Sequence, residues 1–409
     1  MQTKEIKWRG SAGPFVRVAA AGDFCPREVN SDDVARRAAE ICSEVKPFFD
    51  DSDLRLLQWE CAVTERDTPI AKAGPAHRCF PGALAFAEAL RIDAVLLANN
   101  HTGDYGPTGV EDTLAAFASR KIKTVGAGMD RREAESPLIL TGPSGLKIGL
   151  LNAAEHEFGI ASESSPGAAG LDILEFPRRI RVLKESCDAV LTVLHGGHEH
   201  YPFPSPRLQQ LCRFLADNGA DAVLNCHSHC PCGYEIYHGV PIVYSPGNFY
   251  FPPRPTSLPC WYIGYVPKFS FDLQGAFALE LLPYYNYQKQ LRPLDGAGAE
   301  RFFAYLEELN APLDDQSGMR KRFDAWCVMS GIRGYLKTLQ AVPQSDAFEG
   351  AENIRPWLGV RNLFSCESHD DLLKNSLYLI ESGGLAAAEE KIPELERLRN
   401  PDWVSRTGE

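Results

Sequence analysis

Five apolar segments of this chain end at residues that could bind a metal ion. The clearest is 222–224, because His227-Ser228-His229 lies just beyond it. In a strand, residues two apart face the same side, so this spacing predicts that both imidazoles point into one crevice and bind one or two ions. The other segments, with the residues that follow them, are 18–21 before Asp23, 54–57 before Glu60, 94–98 before Asn99-Asn100-His101, and 189–194 before His195. Carboxylate, amide and imidazole groups converging from strand ends are the ligands of a hydrolytic metal centre.

Each of these residues also has an ordinary structural explanation. Asp23 could cap a turn, and Glu60 could be an exposed carboxylate at a strand end. The Asn99-Asn100-His101 stretch could be a helix N-cap followed by a surface histidine, and His195 could be a core histidine. A buried Glu60, however, would need a cation beside it. The metal-site interpretation therefore depends on the convergence of all these residues.

The loop after His195 carries three further candidates. Strand-like alternation would put His198 and His200 on one side and Glu199 on the other, so that only some of them face the site. The remaining histidines have no such context, and a structural role is preferred for each of His77, His156, His238 and His369.

The cysteines indicate a reduced protein. Twelve cysteines in 409 residues are too few and too scattered for a disulfide scaffold. Cys226, Cys230 and Cys232 lie near the histidine pair, but one residue between Cys230 and Cys232 is fewer than structural zinc sites use. Buried thiols are the preferred interpretation, and a cysteine zinc site is the alternative.

The order of apolar segments predicts two regions. Residues 14–290 alternate short apolar runs with helical periodicity, which is typical of an α/β protein. His238-Gly239 separates two short strand-like runs and predicts a hairpin. Residues 296–409 read as a helical C-terminal extension with no metal-type cluster. The helices predicted there are 299–309, 317–329, 332–340, 370–382 and 385–398.

Composition excludes several classes of protein. The net charge of −12 argues against nucleic acid as a partner and against broad contact with anionic membranes. The first nine residues lack the apolar core of a signal peptide, and no run of 18 apolar residues occurs, so we expect a cytoplasmic protein without membrane insertion. The chain has no glycine-rich dinucleotide motif and no Walker motif.

The ordered motifs resemble the CapA-type capsule-biosynthesis proteins. The stretches that carry this resemblance are Asp23, Trp59-Glu60, Leu97-Ala98-Asn99-Asn100-His101 with Asp104, Leu194-His195-Gly196-Gly197 with Glu199, His227-Ser228-His229, and Ser245-Pro246-Gly247-Asn248-Phe249. That family is associated with poly-γ-glutamate synthesis and is similar to the calcineurin-like metallophosphoesterases. The resemblance implies an α/β fold, a metallophosphatase-like β-sandwich flanked by helices, with a two-metal crevice at the strand ends.

The resemblance also implies a role for each candidate. Asp23 and His229 would hold one metal, while Asn100, His195 and His227 would hold the other. Glu60 stands where phosphoesterases have a bridging aspartate. His101 stands where they have the histidine that protonates the leaving group. Phosphoesterases usually have Asp-x-His at the first motif, whereas this chain has Asp23-Phe24-Cys25, so the first metal would have fewer ligands or would recruit Cys25.

Two functions follow from this interpretation. The first is a hydrolase or transferase that uses two divalent ions (Mn, Fe or Zn) on a phosphoester or another anionic substrate. The second is a non-catalytic accessory protein of polymer synthesis, whose metal crevice binds an anionic chain without cutting it. The expected partner is an anionic small molecule or polymer, and the helical extension could mediate oligomerisation.

Overall fold

The computed structural model describes residues 1–27, 31–251, 258–287, 290–340 and 354–404. The strands are β1 (Lys4–Lys7), β2 (Val16–Phe24), β3 (Leu54–Trp59), β4 (Ala62–Val63), β5 (Arg78–Cys79), β6 (Ala94–Leu96), β7 (Lys123–Val125), β8 (Ala127–Gly128), β9 (Leu138–Thr141), β10 (Lys147–Ala154), β11 (Gly167–Ala168), β12 (Ala189–His195), β13 (Ala222–Cys226), β14 (Tyr234–Tyr237), β15 (Val240–Val243), β16 (Asn248–Tyr250), β17 (Ile263–Asp272), β18 (Gly275–Tyr287) and β19 (Gln290–Pro293). The α-helices are α1 (Ser31–Cys42), α2 (Lys46–Asp50), α3 (Ala85–Ala89), α4 (Gly106–Ser119), α5 (Arg131–Ala134), α6 (Glu175–Lys184), α7 (Pro206–Asp217), α8 (Gly296–Asn310), α9 (Gln316–Trp326), α10 (Leu336–Gln340), α11 (Arg355–Ser365), α12 (Glu367–Glu381), α13 (Leu385–Glu389) and α14 (Ile392–Arg399). Short 3-10 helices span Pro81–Leu84 and Pro259–Tyr262, and a π-helix spans Cys327–Tyr335.

Two sheets form a sandwich. The first has the order β1-β18-β17-β2-β3-β6-β7, with β16 beside β2 and β19 beside β18. The second has the order β14-β15-β13-β12-β10-β9. Strands β12 and β15 of the second sheet approach β18 of the first, and β10 approaches β7. Helices flank the sheets, so the predicted α/β fold, a β-sandwich flanked by helices, is confirmed.

Parallel strands bring the candidate residues to the same edges. β2, β3 and β6 run parallel in the first sheet, as do β10, β12, β13 and β15 in the second. β12 and β13 are buried along their whole length, which explains why the sequence shows them as unbroken apolar runs rather than alternating patterns. The carboxyl ends of parallel strands meet at one edge, where α/β sheets collect ligands.

The helical extension is more divided than predicted. Pro393 lies in the first turn of α14 and cannot continue a preceding helix, so the single helix expected over 385–398 is two, α13 and α14. A π-helix separates α9 from α10, and α11 was not predicted. The sheet also begins before residue 14, because β1 pairs antiparallel with β18. The hairpin predicted around His238-Gly239 is present as β14 and β15.

The helical extension packs against the sandwich. The Tyr201 ring stacks on Trp326 of α9 with centroids 5.2 Å apart. The Gln209 side chain of α7 donates a 2.7 Å hydrogen bond to the Leu313 carbonyl. Buried side chains from both regions form one continuous apolar core. Within the described part of the chain, no helix combines the length and apolar character needed to cross a bilayer.

Candidate metal centre

Asp23 reaches the cleft through an irregular strand end. The pairing of β2 with β3 shifts register between Ala21 and Asp23, so Gly22 is the residue that bulges. A Cβ on Gly22 would lie 2.3 Å from the Gly247 carbonyl oxygen, so only glycine allows this close approach of two backbones. The bulge sets the direction of the Asp23 side chain, which is fully buried.

The histidine pair lies beyond its strand, in contrast to the expectation from strand alternation. β13 ends at Cys226, and His227 and His229 have φ angles of 103° and 55°. Positive φ is costly for residues other than glycine and persists where the surroundings enforce it, often at functional sites. The two imidazoles therefore share a cleft because of a left-handed turn rather than a strand.

The predicted ligands form two groups that share Glu60. Ligand atoms of Asp23, Glu60 and His229 lie within 4.8 Å of one another in the first group, and those of Glu60, His195 and His227 in the second. The Glu60 Oε1 atom is 3.7 Å from His229 Nε2 and 3.5 Å from His195 Nε2. Glu60 is therefore the residue that the two groups have in common.

Asn100 joins the second group. Its Oδ1 atom is 3.1 Å from His195 Nε2, and the same His195 nitrogen is 3.1 Å from His227 Nδ1. Three potential donor atoms that face each other this closely leave room for one small cation between them after slight rotation.

Glu60 provides the clearest indication that a cation belongs here. Neither of its buried carboxylate oxygens has a hydrogen-bond partner among the described residues. Burial raises the pKa of Glu60 well above its ordinary value, and burial together with the Glu60 charge does the same for Asp23. A buried carboxylate without a compensating bond, such as that of Glu60, is unfavourable unless a cation neutralises it. The residues present therefore fit divalent ions.

Asn248 was not predicted as a site residue, although its motif was noted. Its Nδ2 atom donates to the carbonyls of His229 and Trp261, so its Oδ1 atom is the acceptor 2.9 Å from His229 Nδ1. This bond keeps the proton on Nδ1 and leaves the Nε2 lone pair of His229 facing Glu60, the arrangement that a metal-binding histidine needs. Asn248 begins β16, whereas the other candidates were selected because they follow an apolar run, so that pattern gave no signal of its role.

His101 lies beside the ligands in a buried network. Its Nδ1 atom donates to Asp104 Oδ2 at 2.6 Å, while Lys72 Nζ donates to Asp104 Oδ1 at 2.5 Å. The His77 ring, which was expected to be structural, stacks on His101 with centroids 4.1 Å apart. Burial and the nearby Lys72 charge lower the pKa of His101 well below its ordinary value. Burial thus favours the neutral form of His101, and the bond to Asp104 places its proton on Nδ1.

The cleft has two adjacent cavities that share lining residues. The first, of about 330 Å³, is lined by Asn100, His101 and His229, and by the cationic Lys72 and Arg399. The second, of about 470 Å³, shares Arg399 with it and is bordered by α9, the π-helix, α11 and α12 of the extension. The extension thus forms a wall of the cleft.

The loop after His195 faces this cleft differently from the alternation prediction. Glu199 and His200 line both cavities, and the buried His198 lines the second. The φ angle of His200 is 63°, so the loop is not extended and strand alternation does not apply.

The cysteines are free and mostly buried. Cys226, Cys230 and Cys232 are all buried, and Cys232 Sγ lies 3.5 Å from the Tyr201 carbonyl. Within the described ranges, these three do not form a metal-type group. Cys25, the possible extra ligand, lies against the Cys61 thiol, and burial raises its pKa.

Comparison with known proteins identifies relatives over the same region. Residues 17–253 match the family described as bacterial capsule synthesis protein PGA_cap. The PGA biosynthesis protein CapA of Bacillus subtilis (strain 168) is 35% identical over 157 residues, 38% of this chain and 41% of that protein. The capsule biosynthesis protein CapA of Bacillus anthracis is 30% identical over 161 residues, 38% of this chain and 39% of that protein.

A third relative is described as "Probable polyglutamine synthesis accessory protein", from Mycobacterium tuberculosis. It is 29% identical over 210 residues, 48% of this chain and 55% of that protein. The chain therefore matches less than two thirds of the length of each of these relatives.

Solved structures show only distant likeness. The calcineurin-like phosphoesterase YfkN from Bacillus subtilis has 14% identity and a TM-score of 0.35, covering 69% of this chain and 89% of that chain. The protein TT1561 of Thermus thermophilus has 11% identity and a TM-score of 0.35, covering 69% of this chain and 99% of that chain.

Proposed function

We propose that this chain, which belongs to the bacterial capsule synthesis protein family PGA_cap, is a metal-dependent hydrolase or transferase acting on a phosphoester or another anionic substrate. The observation that carries this proposal is Glu60, whose buried, unpartnered oxygens in the described structure are shared by two ligand groups. Two divalent ions bound there would supply Lewis acidity that polarises the anion and activates water.

The surrounding residues favour an anionic substrate. Two cationic side chains, Lys72 and Arg399, line the cavity next to the ligands, and Lys72 is also paired with Asp104. Glu157 and Glu199 line the same cavity. Their carboxylates would repel an anionic group that is not next to the metal ions or to these two cationic side chains. The charges therefore favour one orientation, with the anionic group toward Asn100 and His229.

His101 is the proposed proton donor to the leaving group. Asp104 holds its Nδ1–H, which leaves Nε2 as the atom that can take up and deliver a proton. Burial lowers the pKa of His101 and so disfavours a proton on Nε2. A substrate anion beside the ring would raise the pKa of His101, so the acid form is expected to arise in the substrate complex.

The accessory function is the second candidate. It is favoured by the description of the Mycobacterium tuberculosis relative as a synthesis accessory protein. Under this alternative, the same metals would hold a polymer carboxylate or phosphate, and His101 would only form hydrogen bonds to it.

Leaving-group dependence separates the two candidates. We expect His101→Asn to lower turnover of an alkyl phosphate by at least about 10²-fold, because a poor leaving group needs a proton. Activated aryl esters need none and should lose far less. Metal content should equal that of the parent protein. The control is His238→Asn, whose side chain is 74% exposed and should change neither rate.

Two outcomes would contradict the assignment. Equal losses on alkyl and aryl substrates together with loss of metal would make His101 a structural residue. A fully metal-loaded parent protein that turns over no ester would support the accessory function instead.

A further inference from the structure

A second set of metal-type side chains lies outside the centre described above. Ligand atoms of Glu157, Cys366 and His369 are all within 4.8 Å of one another. Glu157 comes from the loop after β10 of the sandwich, whereas Cys366 immediately precedes α12 of the extension and His369 is in its first turn. Cys366 and His369 are three residues apart, so they lie on the same face of the helix start.

A neighbouring cluster on the same helix is already satisfied by protein groups. Glu155, Cys366 and Glu367 also come together, but Glu155 is paired with Arg207 and accepts from the Ser368 amide. Glu367 accepts from both the ring and the backbone of His156, at 2.6 Å and 2.8 Å. These carboxylates have cationic or polar partners, so this cluster leaves no charge for a metal ion to neutralise.

Glu157 is different. Among the described residues, its carboxylate makes only long contacts, 3.4 Å to Asn362 Nδ2 and 3.8 Å to His227 Nε2. Its side chain is 13% exposed, so it has little water to replace the missing bonds. A carboxylate held this loosely beside an imidazole and a thiol is available as a ligand.

The space next to this group can accept a fourth ligand. Glu157 and His369 line the cavity of about 470 Å³, and His198 lines it as well. Both ring nitrogens of His198 are buried without a hydrogen-bond partner within the part of the chain that the structure describes. Either this imidazole or water could complete the coordination.

We propose that Glu157, Cys366 and His369 bind a third divalent ion, zinc by preference, between the sandwich and the extension. Thiolate, imidazole and carboxylate together suit zinc better than calcium or magnesium. Ligand atoms around tetrahedral zinc are roughly 3.3–3.8 Å apart, given bonds of about 2.0–2.3 Å, so modest side-chain rotation closes the site. The Cys366 thiol donates to Glu155 Oε2 at 3.6 Å; when the ion binds, this S–H bond breaks and the proton leaves to solvent.

This ion would act as a cross-link beside the dinuclear centre. It would connect the loop after β10 to the first turn of α12, and so fix the wall that the extension contributes to the cleft. Glu157 lies 3.8 Å from His227. The third ion would therefore lie next to the dinuclear centre. The inference does not depend on the proposed hydrolysis.

Cobalt spectroscopy tests the site in the full-length protein. After chelator treatment and reloading with Co²⁺, we expect a near-ultraviolet charge-transfer band from thiolate ligation. Cys366→Ser should abolish the band and remove about one equivalent of cobalt. It should also weaken cobalt binding at this site by more than about 100-fold, which is the largest effect expected when a residue that only supports a ligand is lost. Cys25→Ser, the matched control beside the other centre, should keep the band.

Two further variants test the same site if Cys366→Ser does not fold. His369→Asn should also lose about one equivalent of cobalt and change the band. The double variant Asp23→Asn/His229→Ala should lose cobalt from the dinuclear centre but keep the band. A parent protein without the band, or a band that survives Cys366→Ser and disappears in Cys25→Ser, would overturn the proposal.

Discussion

At the scale of single residues, the centre depends on side chains whose buried polar atoms are held in one orientation. Asn248 shows this most directly. Its side-chain amide donates to two backbone carbonyls, so its oxygen must accept from His229 Nδ1. The tautomer of His229 therefore follows from the hydrogen-bond network.

We predict that Asn248→Ala weakens metal binding by about 10–100-fold, the usual effect of losing an outer-shell partner of a metal-binding histidine. Competition with a chelating dye measures this affinity. Asn286→Ala is the control, because Asn286 is also buried but belongs to β18. Unchanged affinity in Asn248→Ala would show that His229 is not a ligand through Nε2.

Some residues of the centre could be predicted from the sequence and others could not. Asp23, Glu60, Asn100, His195, His227 and His229 could be selected because each follows an apolar strand, and a strand end is a local feature of the sequence. Lys72 and Asn248 could not, because their roles come from contacts with residues 32 and 19 positions away in the chain. Whether the selected residues bind metal stays a prediction.

At the scale of elements, the turn after β13 shows how two residues can lie together as predicted although the predicted local structure is wrong. Strand alternation predicted that His227 and His229 face the same side, and the structure brings them together through left-handed backbone instead. The physical reason is that β13 ends at Cys226, where the chain must turn toward Asp23, which accepts the His227 amide at 3.0 Å.

This turn should be strained. In metal-free protein, we expect His227→Gly to be more stable than His227→Ala by about 1 kcal/mol, because glycine adopts a φ near 103° without the steric cost that alanine has. Urea denaturation with chelator present measures the difference. At the exposed Lys123 of β7 the order should reverse, with glycine less stable than alanine by about 0.5–1 kcal/mol. The same order at both positions would contradict strain at His227.

At the scale of the whole molecule, the extension is part of the folded unit. Arg207 of α7 donates to Glu155 and also, at 2.7 Å, to Ser368 of α12. Burial opposes ionisation of Glu155, but the Arg207 charge and the bonds from Ser368 lower its pKa to about 2. Because this pKa is depressed, the stabilisation is present above pH 4.5 and is lost as pH falls toward 2.

We predict that Arg207→Ala lowers the free energy of unfolding by about 3 kcal/mol at pH 7, because it leaves Glu155 charged and buried without its partner. Chemical denaturation measures the loss. Arg178→Ala is the control, since its pair with Glu175 is 69% and 43% exposed and should contribute less than about 0.5 kcal/mol. If both variants lost the same small amount of free energy of unfolding, this result would contradict the conclusion that the extension is part of the folded unit.

The sequence predicted the two regions but not how they join. Amphipathic periodicity identified helices in 296–409, yet it contains no information about which sandwich residues they contact. Glu157 and His369 are more than 200 positions apart, and only the fold brings them to one cleft. Oligomerisation through the extension and a cytoplasmic location stay predictions.

The central claim is that Glu60 is shared by two metal ions, and elemental analysis of Glu60→Gln tests it most directly. We expect the purified parent protein to contain Mn, Fe or Zn, and the variant to contain about two equivalents less, because both ligand groups use this carboxylate. Asp104→Asn is the control: it removes an equally buried carboxylate that is not in either group, and it should keep the full metal content. A folded Glu60→Gln protein with the metal content of the parent would contradict the account.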